Sequence, residues 1–270
     1  MADIHSKGMN PAQGKHIPEF LTASFVMVLA GKHLDISINA PIGPTRLATM
    51  LPLIQSVTDL IVESAIEACT EKGLNVSCKK GCGACCVQVV PLAQMEARHI
   101  RELLERMPEP RRSVIRNRFA EGERRLQEAG LLERFLDTSK LSEAELQSLG
   151  LDYFHQRLQC PFLEEQSCSI HADRPIRCRE YLVTSPAEHC ANPTAQLVRR
   201  LALPGNVLAT LIHMEKGLNA GASRWVPLIL SLRWAETHQD KPAERPGTEL
   251  VRELFESLSE KKLPNPTFPL

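Results

Sequence analysis

Cys78-Lys79-Lys80-Gly81-Cys82-Gly83-Ala84-Cys85-Cys86 places four thiols within nine residues, and the rest of the chain is organised around it. A segment of this composition has little apolar side chain beyond sulfur itself, so it does not read as packed core. Gly81 and Gly83 allow the backbone to fold tightly and bring the sulfurs together around something small. A metal ion or a metal cluster is the expected occupant. Cys160, Cys168, Cys178 and Cys190 answer it downstream, so eight of the nine cysteines fall in two blocks.

The chain has 270 residues, enough to bury a core without crosslinks, and the cysteines are not needed as staples. Lys+Arg and Asp+Glu number 32 each, so no global field favours nucleic acid or an anionic membrane, and neither is expected as a partner. The first twenty residues lack the charged start, apolar middle and cleavage site of a signal peptide, and the run Phe25 to Ala30 is far too short for a bilayer span. A soluble, cytoplasmic protein is expected. In a reducing compartment clustered cysteines read as metal ligands rather than disulfides. The protein partner, if any, is not legible.

Mainly α architecture is expected: a helical scaffold around an irregular cysteine-rich core, with a short N-terminal β-hairpin. Residues 1–18 read as a flexible arm. Residues 19–73 read as a hairpin and a helix: Leu34, Ile36 and Ile38 alternate with polar residues after the turn at Ala30-Gly31-Lys32. Leu47, Met50, Leu51, Ile54, Val57, Ile61, Ala65 and Ala68 then recur at helical spacing up to Gly73. Cys69 lies on or beside that apolar stripe and reads as a core residue. Residues 74–192 form the cysteine-cluster domain with a helical insertion, including a helix from about Leu92 to Met107 opened by Pro91. A charged stretch, Glu109 to Asp137, reads as a solvated helix laced with ion pairs. Ser142-Glu143-Ala144-Glu145 is a capping box opening a helix toward Leu149. Residues 193–270 are expected to be helical over Leu197–Leu203, Val207–Met214, Trp225–Ala235 and Thr248–Leu258, with a linker at Pro242, Pro246 and Gly247. The whole is expected to be one globular unit.

Cys82-x-x-Cys85 has the spacing of a metal knuckle, in which a tight turn aims both sulfurs at one centre. Cys160 and Cys168 suit the two sides of a hairpin, and Pro175 fixes the approach to Cys178. Successive side chains of an extended segment point apart. Cys85 and Cys86 are therefore not expected on one zinc: one serves a second metal or a polynuclear cluster, or one is a free thiol. Zinc and an iron–sulfur cluster both accept four thiolates, so ligand type leaves the two open. Arg174, Arg177 and Arg179 read either as partial compensation for thiolate charge or as surface residues. His171 and His189 are candidate nitrogen ligands that read more simply as surface or supporting histidines. No nucleotide-holding glycine turn, Ser-His-Asp set or paired-carboxylate motif is present, so no catalytic or organic-cofactor residue is assigned.

Ser77 to Cys86, then Val90-Pro91-Leu92 with Glu96-Ala97, then Cys160-Pro161-Phe162-Leu163, Cys168-Ser169-Ile170-His171 and Arg174-Pro175-x-x-Cys178-Arg179-Glu180-Tyr181, resembles the YkgJ-type cysteine-cluster family of zinc- or iron-chelating domains. The resemblance spans about residues 77 to 192. It implies metal chelation by Cys78, Cys82, Cys85, Cys86, Cys160, Cys168 and Cys178, with Cys190 shared by some relatives. The family's shorter form has two residues between its first two cysteines and this chain has three, which places Cys78 below Cys82 as a ligand. One related branch, the flagellin lysine N-methylases, links such a cluster to methyl transfer from S-adenosylmethionine.

Three function classes are compatible with these residues. A structural or storage metal module requires saturated coordination. A cluster-dependent methylase or oxidoreductase requires an open position or an exposed reactive thiol, Cys86 or Cys190 first. A metal- or redox-responsive interaction protein requires the helices around Trp225 and Trp234 to change exposure with metal.

Overall fold

A computed structural model describes residues 20–29, 32–194, 196–218, 225–239 and 243–259. Strands β1 (Phe20–Leu29) and β2 (Lys32–Pro41) form the expected hairpin, paired from Phe20↔Pro41 to Leu29↔Lys32. Ile36, Ile38 and Ala40 turn inward while Ser37 and Asn39 face solvent, so alternation along β2 is the pattern of a half-buried strand. The arm at 1–18 and the turn at Ala30-Gly31 lie outside the described residues.

Strand β3 (Pro44–Arg46) runs into a 3-10 turn at Leu47–Met50 and then into helix α1 (Leu51–Glu71). Pro52 sits in the first turn, where its missing N–H costs nothing. Gly73, at φ 73°, closes the helix: its N–H bonds Thr70 O and the next N–H, of Leu74, bonds Cys69 O, the Schellman arrangement. The segment Leu47–Glu71 is long and apolar enough to cross a bilayer by length and composition, but half of it is buried inside the protein. Ile54, Val57, Ile61 and Ala65 form the face that packs there.

After the cysteine loop come β4 (Pro91–Leu92), α2 (Gln94–Glu105), α3 (Arg111–Glu128), α4 (Leu132–Leu136) and α5 (Glu143–His155). Contrary to the sequence expectation, Pro91 and Leu92 do not open a helix. They pair with Val226 and Pro227, and the helix starts at Gln94. The capping box at α5 is present in full: Glu145 N–H donates to Ser142 Oγ at 3.3 Å and Ser142 N–H to Glu145 at 2.8 Å. That helix continues past Leu149 to His155.

The second cysteine block holds the two-residue hairpin of β5 (Leu163–Glu164) and β6 (Ser167–Cys168), then α6 (Ile176–Glu180). Helix α7 (Val207–Leu218), β7 (Val226–Pro227), α8 (Ser231–Thr237), β8 (Glu244–Pro246) and α9 (Gly247–Ser259) complete the chain. Three expectations are corrected here. Trp225–Ala235 is not one helix: Val226–Pro227 is strand, a 3-10 turn follows at Leu228–Leu230, and α8 starts only at Ser231. Leu197–Leu203 is no helix: Arg200 bridges Val183, and Leu201 N–H bonds Leu182 O at 2.8 Å, so this stretch covers the end of the cysteine block. Pro246 is not linker but pairs with Pro44 in the β3–β8 sheet, while Pro242 lies outside the described residues. An apolar run alone does not distinguish a short helix from a covering strand.

One large apolar cluster joins β2, α1, α4, α5, α7 and α9. A second, built on Ile100, Leu104, Ile115, Phe119, Phe162 and Trp234, backs the hairpin that carries Cys168. Cys69 packs with Ala65 and Leu201 in a third, the core role its position predicts.

Candidate metal centre

The first cysteine loop is a series of tight turns. Cys82 N–H bonds Lys79 O, Cys86 N–H bonds Gly83 O, and Gln88 N–H bonds Cys85 O, at 3.0 to 3.1 Å. Its two glycines act for different reasons. Gly81 takes φ 84°, a backbone state that costs a residue with Cβ about 1 kcal/mol or more. At Gly83 a Cβ would lie 2.7 Å from Leu163 Cδ1, so the absent side chain lets the loop lie against the β5–β6 hairpin. That hairpin turns through Glu165 and Gln166, both left-handed at φ 47° and 61°, as a two-residue turn matched to strand twist requires.

Backbone bonds then join the two blocks. Cys160 N–H donates to Cys86 O at 2.7 Å, Ser77 N–H to Val183 O at 2.9 Å, and the buried Gln88 amide to Cys190 O at 3.0 Å. Charged helix α3, which sequence reading assigns to solvent, also holds the second block. Arg118 donates to Pro161 O at 2.9 Å and Arg111 to Ser169 O at 3.2 Å. Elsewhere the same helix does carry surface pairs, such as Arg124 with Glu121.

The result is one cavity of about 1010 Å³, walled by α1, the cysteine loop, the hairpin, α6 and the turn at Ala187–Ala191. Cys78, Cys82, Cys85 and Cys86 line it from the first block, and Cys160, Cys168, Cys178 and Cys190 from the second. Every predicted site residue is therefore brought to a single chamber, and Cys69 is left out of it. Among the described residues no three Cys, His, Asp or Glu side chains already stand in metal-ligand geometry. Thiolate sulfur is a donor type that suits zinc or iron, and closing on an ion would require these side chains to change position.

Cys85 is central to the set, close enough to couple electrostatically to the thiols of Cys78, Cys160, Cys168, Cys178 and Cys190. Its hydrogen bond to Cys86, followed by burial, raises its own thiol pKa far above the ordinary value. Residues 84–87 form turns rather than an extended strand, so the alternation behind the expectation that Cys85 and Cys86 point apart does not hold here. Burial pushes Cys160 up to about 12 and Cys190 to about 11, and raises Cys178, Cys78 and Cys168 as well. Opposing this, the N–H groups of Phe162, Ile170 and Val183 donate to the sulfurs of Cys160, Cys168 and Cys78.

The three arginines divide. Arg179 is buried and structural: it bonds Asp59 of α1 at 2.6 Å, Arg174 O at 3.0 Å and also Ala172 O. Arg177 lies over the Tyr181 ring at 5.7 Å. Arg174 lines the cavity, its charge favours the thiolates of Cys78, Cys85 and Cys168, and its buried Nε has no acceptor among the described residues. His171 is exposed at the chamber wall, its pKa lowered first by Arg174. His189 instead meets Leu197 O at 3.1 Å through Nδ1 and is not among the lining residues.

Sequence reading missed three buried glutamates behind the chamber. Helix α2 begins after Ala93, which has no side-chain acceptor; Glu215 of α7 supplies one, taking Gln94 N–H at 2.8 Å and Met95 N–H at 2.7 Å. Glu96 of α2 takes Ala93 N–H at 3.0 Å and Ile176 N–H, the start of α6, at 2.8 Å. Glu180 of α6 takes Val207 N–H, the start of α7, at 2.6 Å. Burial raises all three carboxyls to about 7 against the pull of these N–H donors. Glu96-Ala97 carried a visible signal as part of the motif, but its partner helices lie too far along the chain to be read.

Residues 77–195 match the family model CxxCxxCC, described as "Putative zinc- or iron-chelating domain". No curated protein and no solved structure matches the chain.

Proposed function

We propose that the eight chamber cysteines are the donors, and that they hold zinc in thiolate sites or an iron–sulfur cluster, a reading supported by the match of residues 77–195 to that zinc- or iron-chelating domain. One observation carries the reading: two cysteine blocks far apart in sequence line one cavity, and the remaining cysteine is core. Soft thiolates select zinc, copper(I) or iron–sulfur centres over magnesium and calcium.

Cys82 and Cys85 form the knuckle, Cys168 approaches from the hairpin, Cys160, whose N–H bonds Cys86 O, from the segment before it, and Cys178 from α6. The expected pairing of Cys160 with Cys168 across a hairpin is not formed, since Cys168 pairs with Leu163. Cys78, Cys86 and Cys190 complete a second four-sulfur set or stand beside a cluster. Four thiolates on one divalent ion leave a net charge of 2−, and Arg174, whose buried Nε lacks an acceptor among the described residues, is placed to offset it. Bound metal would supply its own electrophilic or redox chemistry. The chain's residues hold the ligands and donate N–H groups to sulfur.

A cluster-dependent enzyme is the second reading, favoured by size. Zinc with sulfurs at about 2.3 Å fills a sphere of roughly 50 Å³, whereas a cavity near 1010 Å³ is in the range of small-molecule sites. Even two metal centres would leave room for an organic substrate.

Anaerobic purification followed by elemental analysis and absorption spectroscopy tests both. Iron with inorganic sulfide and a band that bleaches on reduction supports a cluster and brings the enzyme reading forward. A colourless protein with zinc supports thiolate zinc sites. Metal content unchanged in a variant lacking both Cys82 and Cys85 overturns the assignment of the knuckle.

A further inference from the structure

The three buried glutamates form a closed cycle. Glu215 of α7 caps α2, Glu96 of α2 caps α6, and Glu180 of α6 caps α7. Ala93 and Pro175, before α2 and α6, offer no side-chain acceptor, and at α7, where Asn206 caps Ala209 N–H, the first N–H, of Val207, goes to Glu180. A carboxylate from a different helix takes the orphaned donor in each case, which an isolated helix would leave to water.

Helix α6 is the member that matters to the chamber, because it carries Cys178 on its inner side and spans only Ile176–Glu180. Five residues cannot hold helical form alone. Its position is set by its anchors: Glu96 at its first N–H, Arg179 on Asp59 of α1, and Glu180 on the first turn of α7. Glu215 acts one step further back. By holding the N–H groups of Gln94 and Met95 it fixes the turn from which Glu96 projects.

We propose that Glu96, Glu180 and Glu215 are positioning residues of the metal chamber, a cyclic relay that fixes the Cys178 wall against the scaffold. Metal affinity therefore depends on all three, Glu215 included, although its two hydrogen bonds both go to α2. The proposal rests on the chelation reading above for its metal readout and on the cycle itself for the remainder.

The test uses the full chain, reduced and stripped of metal, with zinc as the probe and a chromophoric chelator as competitor. Glu215→Gln and Glu96→Gln each keep one acceptor oxygen where two N–H groups use two, and each should weaken zinc binding about 10-fold or more, the scale on which supporting hydrogen bonds act at metal sites. Ser142→Ala, which removes a helix cap outside the cycle, should lower stability with zinc affinity unchanged. In the stripped protein, amide hydrogen exchange over residues 176–180 should speed up in Glu215→Gln and not in Ser142→Ala. Zinc affinity and exchange in Glu215→Gln that both match the wild type overturn the relay. So does an equal loss of affinity in Ser142→Ala, since that marks general destabilisation. A wild-type chain that takes up no metal, with exchange at α6 still responding to Glu215→Gln, keeps the relay as a positioning device and removes the chelation reading instead.

Discussion

Single residues in the chamber differ in what they can tolerate. Gly83→Ala would put a Cβ 2.7 Å from Leu163 Cδ1, in contact with both hairpin and loop. It should cost about 1–3 kcal/mol as an overpacking change and reduce bound metal, read by chemical denaturation and elemental analysis. Cys69→Ala touches only the small cluster with Ala65 and Leu201. It should cost about 1 kcal/mol and leave metal content unchanged. Thiol ionisation gives a pH dependence with a definite sign. Cys160 at about 12 and Cys190 at about 11 are protonated at neutral pH, and a metal binds the thiolate and expels the proton. Affinity should therefore rise from pH 6.5 to 8, by up to about tenfold per unit for each proton released, measured by chelator competition at several pH values. Without metal the same raised values act on stability in the opposite direction. Stability is full below the ordinary thiol value of 9.0 and is lost as pH rises toward 11 and 12.

At the level of elements, short-range signals were accurate and long-range ones were absent. The hairpin, α1 with its Gly73 stop and the Ser142 capping box depend on neighbours within a few residues, so they were legible. Ser142→Ala should accordingly cost about 1 kcal/mol in thermal or denaturant unfolding, a local effect of a local motif. Helix α3 shows the opposite case. Its arginines look like solvated charge in sequence, yet Arg118 and Arg111 grip carbonyls of the second cysteine block. Arg118→Ala should loosen Pro161 and lower metal affinity, whereas Arg124→Ala, on the exposed side with Glu121, should change stability by no more than about 0.5 kcal/mol. Pro91-Leu92 and Leu197–Leu203 were misread because their backbone partners, Val226-Pro227 and Leu182-Val183, are set by tertiary approach rather than by local pattern.

Across the whole molecule the chamber lies where five segments meet, so metal and fold should stabilise each other. Chelation of the metal from the native protein should lower the unfolding midpoint, and re-addition of metal at about a thousandfold over its dissociation constant should restore roughly 4 kcal/mol, followed by thermal unfolding. By itself the sequence determined the kind of site, through four thiols in a loop with too little apolar side chain for a core. It also determined which cysteine stands apart, through the helical period that carries Cys69 inward. Residue type and short-range spacing are local properties and need no fold to be read. Tertiary structure alone decided that all eight cysteines line one cavity, and that Arg179 is an anchor while Arg174 lines the cavity with the sulfurs. It also decided that Glu96, Glu180 and Glu215 close a cycle through three helices. Such contacts join residues scores of positions apart, and a buried carboxylate reveals its purpose only when the orphaned N–H it serves is in view.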